Sequence, residues 1–130
     1  HCGLVGSEMC IRDSLRINSL SKEELDYLDY LIDWAHTNNL EFHITELNLW
    51  VQDEITDLDS IQNIQSNIYQ KLLNKLISKK NNGVIALNFW GLKDRNGRQK
   101  HNKNILSIYD RNLNANPCLE TIKSCLNDGE

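Results

Sequence analysis

The chain reads as an α/β protein whose parallel strands are joined by crossover helices. Three observations predict this. Helix-like and strand-like segments alternate along the 130 residues, an order that implies βαβ crossovers. The helical segments repeat their apolar residues at helical spacing. One strand-like run, "VIALNFW", is almost wholly apolar, as a strand buried on both faces should be. Only two such strands are legible, and two strands alone make no stable sheet. The pattern therefore reads as a slice of a larger fold, either a barrel or an open sheet.

Each element has a local cause. "SKEELDYLDYLIDWAHTNN" is an amphipathic helix with Ser21 and Glu24 spaced as a capping box. Leu25, Leu28, Leu31, Ile32 and Ala35 form its apolar stripe, and Asp26, Asp29 and Asp33 are expected to face water. Asn38-Asn39 ends it. "LEFHITELNL" follows as a strand, closed by the carboxylate of Glu46. After the loop "WVQDEITDLDS", a second helix runs through "IQNIQSNIYQKLLNKLISK", with Ile61, Ile64, Ile68, Leu72 and Leu76 as its buried face. Gly83 is expected to be its left-handed stop. The second strand, "VIALNFW", leads into a polar Gly/Asn loop from Lys93 to Asn104, and "ILSIYD" is a short extended segment. "NPCLETIKSCLND" closes the chain as a third helix, with Pro117 near its first turn.

The opening fourteen residues, "HCGLVGSEMCIRDS", match none of this periodicity. They resemble translated adapter sequence and are set apart, as an adapter-derived or disordered segment, from residues 15–130.

Composition narrows the function classes. Hydrophobic residues make up 40% and charged residues 25%, which is globular usage. A net charge of −4 argues against a nucleic-acid partner. The basic run from Lys93 to Lys103 reads as a solvated loop. No apolar stretch reaches the length of a membrane span, so no membrane partner is expected. Cys118 and Cys125 lie seven residues apart on one helix, roughly 10 Å along its axis, too far for a direct disulfide. No Cys/His spacing suggests zinc.

In parallel α/β folds the chemistry collects where strands end. Glu46 closes the first strand, and Trp90, followed by Gly91 and Asp94, closes the second. An acid and an indole at one strand end suit a sugar: the ring stacks on pyranose C–H faces while the carboxylate works at the anomeric carbon. Plainer readings stand beside these. A Glu after a strand is commonly a solvated loop residue or a helix cap, and a Trp there is commonly packing. His43 is out of phase with Glu46 by strand alternation and is expected to point toward the helix layer. Asp53, Glu54, Asp57 and Asp59 lack the spacing of a calcium loop and read as a solvated acidic loop. Tyr27, Tyr30 and Tyr69 read as packing residues.

The same residues carry a family resemblance. "HITELNLW" resembles the strand-seven signature of family ten glycoside hydrolases, the xylanases, which usually reads Ile-Thr-Glu-Leu-Asp. Gln65 to Tyr69 is similar to the Gln-x-x-x-Tyr of the next helix. Val84 to Asp94 looks like the strand-eight segment ending Trp-Gly-x-x-Asp. Ile105 to Asp110, followed by Asn116-Pro117, resembles the closing block. The four blocks occur in the family's order over about residues 15–126.

The resemblance implies the C-terminal part of a (β/α)8 TIM barrel. It implies a retaining endo-1,4-β-xylanase with Glu46 as catalytic nucleophile and Trp90 as a substrate-binding indole. It implies no metal or organic cofactor, xylan or a related β-glycan as partner, a monomer at full length, and a secreted or periplasmic location. The family's acid/base Glu, in an Asn-Glu pair on strand four, has no counterpart here, so these residues alone are expected to be inactive. Asn48 stands where Asp is common. "RNGRQK" stands where the family often has a second Trp, and Cys118-Leu119 replaces Ala-Tyr. Two alternatives stay open: a retaining barrel glycosidase of other β-glycan specificity, and a non-catalytic carbohydrate-binding segment in which Glu46 is structural. A nucleotide-binding α/β protein has no support, since no Gly-rich phosphate loop follows either strand.

Overall fold

The computed structural model describes residues 8–11, 14–16, 20–50, 55, 57–89, 91–93 and 107–129, with the backbone alone described at 8–11, 14–16, 46, 48 and 50. Its elements are β1 (Glu8–Ile11), β2 (Ser14–Arg16), α1 (Lys22–Thr37), β3 (Glu41–Trp50), α2 (Leu58–Ser78), β4 (Ile85–Phe89) and α3 (Cys118–Asp128). Among the described residues the pairings between these strands are parallel. β3 pairs with β1 through Glu41–Ile44, with β2 through Asn48–Trp50 and with β4 through Phe42–Leu47. The predicted order of helix, strand, helix, strand, helix is present from α1 to α3. β1 adds a strand inside the segment that sequence reading set apart: a parallel edge is made by backbone groups, which any extended residues can supply.

β3 is the central strand. Phe42, Ile44, Leu47 and Leu49 are buried in one core with Ile32 and Ala35 of α1 and Ile68, Leu72 and Leu76 of α2. Each fully buried side chain of this size contributes roughly 1.5–3 kcal/mol. β4 differs from its apolar appearance, for Ile85, Leu87 and Phe89 are half-buried and Asn88 is exposed. Among the described residues no strand lies on its other edge.

The helix ends follow their local chemistry. The capping box on α1 is complete: Ser21 Oγ accepts from Glu24 N, and Ser21 N donates to Glu24 Oε2 at 2.8 Å. Asn39 leaves the helix at φ +57. On α2, Asp57 is the N-cap and accepts from Ser60 N at 2.9 Å and Ser60 Oγ at 2.7 Å. Two of the aspartates expected to face water also tie α1 to α2, Asp33 while staying exposed and Asp29 while partly buried. Asp29 meets Lys75 at 2.6 Å and Lys79 at 3.4 Å, and Asp33 meets Lys79 at 2.8 Å. Gly83 is not a left-handed stop; α2 ends through a right-handed Lys79. Gly83 instead lies against the ring of His36, where a Cβ would come within 2.5 Å of Cδ2. Cys118 and Cys125 are both buried on α3. Asn116 is buried, its Nδ2 donating to Ser107 O at 2.7 Å, which fixes the segment before α3.

Candidate active site at the strand ends

The site is built on a fault in β3. Ile44 pairs with Leu87 and Leu47 with Phe89, so β3 takes three steps where β4 takes two. One extra residue therefore sits in β3 relative to β4, between Ile44 and Leu47. Burial reports the same fault: Phe42 and Ile44 are buried, then Leu47 and Leu49. Thr45 and Glu46 occupy the bulge. Bulges of this kind bend a strand and re-aim residues, and they recur beside active sites.

The backbone of Glu46 thus lies in a bulge, immediately before the residue paired with Phe89. Trp90, the residue after Phe89, lies outside the described residues, as do Asp53, Glu54 and Asp94. Gly91 follows with φ +83, a left-handed turn that redirects the chain past β4. Asp57 and Asp59, the described members of the acidic loop, belong to the start of α2, the first as its cap and the second in its first turn.

His43 is a correction. It lies on the opposite face of β3 from Phe42 and Ile44, which pack into the helical core. Its Nε2 meets Glu41 Oε2 at 2.9 Å, a contact between residues two apart on one strand face. The parity argument failed because the bulge shifts the phase of everything after Ile44 relative to everything before it. The Glu41–His43 pair was not singled out from sequence; its signal is two ionisable residues at i and i+2 on a strand.

Gln65 and Tyr69 are buried to 1% and 2% exposure on α2. The Tyr69 ring stands 5.8 Å from that of Phe89, tilted by 57°. This aromatic contact, worth about 0.5–1.5 kcal/mol beyond area burial, braces the last residue of β4 from behind. Burial pushes the Tyr69 hydroxyl well above its ordinary range, with Cys118 adding to it, so it stays neutral. Tyr27 and Tyr30, expected to pack, are each 63% exposed. A groove of about 390 Å³ between α2 and α3, lined by side chains such as Asn67, Gln70, Asn74 and Glu120, involves no residue of β3 or β4.

The model of glycosyl hydrolase family 10 matches residues 16–125. A search of curated proteins finds no match. Among solved structures, native xylanase 10B from Thermotoga maritima superposes with a TM-score of 0.74 at 19% identity, over 92% of this chain and 36% of that one. Xylanase 10B from Thermotoga petrophila RKU-1, in complex with xylobiose, gives 0.66 at 23% identity, over 80% and 32%. An endo-1,4-beta-xylanase from Caldicellulosiruptor owensensis gives 0.61 at 21% identity, over 78% and 34%. The chain spans about a third of the length of each. The shared architecture is that of a TIM barrel, of which these residues form a C-terminal part.

Proposed function

The chain belongs to glycosyl hydrolase family 10, and from that membership we propose that it is the nucleophile-bearing part of a retaining endo-1,4-β-xylanase. The observation that carries the proposal is the β3 bulge at Glu46, within the span that matches the family. A carboxylate borne by the central parallel strand, beside the residue that pairs with the last residue of β4, stands near where barrel enzymes do their chemistry.

In the proposed mechanism Glu46 attacks the anomeric carbon of a xylosyl unit. The bond to the leaving oxygen breaks, and that oxygen takes a proton from a second carboxylic acid supplied by another strand of the complete barrel. The two carboxyl groups of a retaining enzyme stand roughly 5–5.5 Å apart. The same second group then removes a proton from water, which attacks the glycosyl-enzyme and releases Glu46. Trp90 offers an indole face to the sugar beside the reacting bond. Xylan as substrate, a monomeric enzyme and a secreted or periplasmic location belong to the same proposal. The xylobiose in the Thermotoga petrophila structure supports the substrate class. A different β-glycan is the second reading, favoured by "RNGRQK" at residues 95–100, which holds no aromatic residue for stacking.

The test is Glu46→Gln in a complete barrel carrying this span. Xylan hydrolysis is expected to fall by about 10⁴-fold or more, as when a nucleophile is removed. Unchanged hydrolysis would rule out the nucleophile role and leave Glu46 structural. Release of short xylo-oligomers from defined substrates supports xylan; cleavage of another β-glycan in preference supports the second reading. Residues 1–130 alone are expected to be inactive.

A further inference from the structure

α2 divides its polar residues by partner. Its lysines turn toward α1 and the residue before it: Lys71 Nζ reaches Leu20 O at 3.5 Å, and Lys75 Nζ meets Asp29 at 2.6 Å. The flank turned to α3 carries Ser66, Asn67, Gln70 and Asn74. Residues 60–70 hold no charged side chain, although the water-facing side of a helix ordinarily carries charge. Asn67, Gln70 and Asn74 stand at i, i+3 and i+7, so their amides line one flank over roughly 10 Å.

Across the groove α3 presents Thr121 and Ser124, with Glu120 and Asp128 beside them. Glu120 is occupied, its Oε1 lying 2.9 Å from Lys123 Nζ. The amides and hydroxyls of both walls are not: their side chains have no hydrogen-bond partner among the described residues. The walls themselves are fixed. Leu72 and Leu73 of α2 share one buried core with Ile122 and Cys125 of α3, and Lys80 Nζ donates to Gly129 O just beyond the two helix ends. The groove between them holds about 390 Å³, within the roughly 300–1,000 Å³ of small-ligand sites.

A ligand for this lining is neutral and rich in groups that both donate and accept. An amide offers a donor and an acceptor side by side, and a hydroxyl offers both on one atom. Sugar hydroxyls meet that description. A cation needs more charged oxygens: Glu120 is paired, and no group of three or more His, Cys, Asp or Glu side chains able to hold a metal occurs among the described residues. We propose that the groove between α2 and α3 is a second binding site for a short stretch of β-glycan, held on the helix layer apart from the strand ends. The identity of the glycan rests on the proposed function; the neutral, unpartnered lining does not. No aromatic residue lines the groove, so each contact is weak, and its use is avidity: a second hold on the same polymer raises the local concentration of chain at the strand ends.

The experiment compares a complete barrel carrying this span with its triple variant Asn67→Ala, Gln70→Ala and Asn74→Ala. These side chains are exposed, so the variant should keep its circular dichroism spectrum. Retention on insoluble xylan should fall by about tenfold, and hydrolysis of insoluble xylan should fall with it. kcat/KM on short soluble xylo-oligomers should stay unchanged, because the strand ends are untouched. Added xylohexaose should slow hydrogen exchange in residues 66–74 and 120–128 of the Glu46→Gln barrel, and should not once the triple substitution is added to it. Unchanged retention, or an equal loss on soluble and insoluble substrates, overturns the proposal. So does slowed exchange that follows added calcium and not sugar. A barrel that hydrolyses xylan while the groove stays unprotected sinks this site alone. A groove protected by xylohexaose in a barrel that cleaves another β-glycan supports the site and overturns the xylan reading.

Discussion

Gly91 has φ +83, and no atom lies within 4 Å of where a Cβ would stand. A substitution there meets open space, so its whole cost is backbone. Gly91→Ala is expected to lose roughly 1–2 kcal/mol, the penalty for holding an L-residue in the left-handed region. Leu113 is the converse. It occupies φ +65 although it is a bulky residue with an exposed side chain. Asp110 holds the turn by accepting from Asn112 N and Asn114 N through Oδ1, each at 2.8 Å. Leu113→Asn should relieve the strain at no cost in burial and gain on the order of 0.5–1 kcal/mol. Urea denaturation checks both: the midpoints should move in opposite directions with the slope unchanged. Glu46 does not close its strand as expected, for β3 runs on to Trp50, but its place on a strand could be read from a short apolar, β-branched run. The face of His43 could not, because one inserted residue in a strand leaves no compositional trace and inverts every parity argument across it.

Elements were legible where their cause is local. The capping box of α1 is a short-range hydrogen-bonding pattern, and it is present, whereas Asp57, read as part of a solvated loop, is instead the cap of α2. What sequence could not show was contact between elements. Gly83 was read as a helix stop, and its constraint comes from the far end of α1 instead. His36 Nε2 donates to Val84 O at 3.1 Å, and its Nδ1 is buried without a partner among the described residues. The ring is therefore held against Gly83 and joins the end of α1 to the start of β4. Gly83→Ala would put a methyl group into that ring and force it to move, breaking the bond to Val84. Overpacking of this kind costs about 1–3 kcal/mol. Thermal unfolding of the variant should show the loss, and the double variant with His36→Ala should recover part of it. An unchanged midpoint would mean the ring yields freely.

For the whole molecule, α1 and α2 are joined through charge as well as through the core, and this gives the fold an acid-dependent component. Burial pushes the pKa of Asp29 up, but the hydrogen bond and charge of Lys75, with Lys79 behind it, outweigh burial and hold it below the ordinary 3.8. A carboxyl depressed in the folded state binds a proton more weakly than in the unfolded chain. Its contribution is therefore fully present above the unfolded value of 3.8 and is lost as pH falls through the lower folded value. Asp29 is 26% exposed at its side chain, so solvent screening keeps the whole contribution to about 1 kcal/mol. Asp29→Asn should lower stability by that amount at neutral pH and leave Lys75 without its 2.6 Å partner. In acid the variant should lose less than the parent, because the group that would be protonated is gone. The two stability curves should therefore converge as pH drops below 3.8, and high salt should narrow the gap at neutral pH. Parallel curves at all pH values would show that the α1–α2 charges do not couple to folding, leaving the shared core as the bond between these helices.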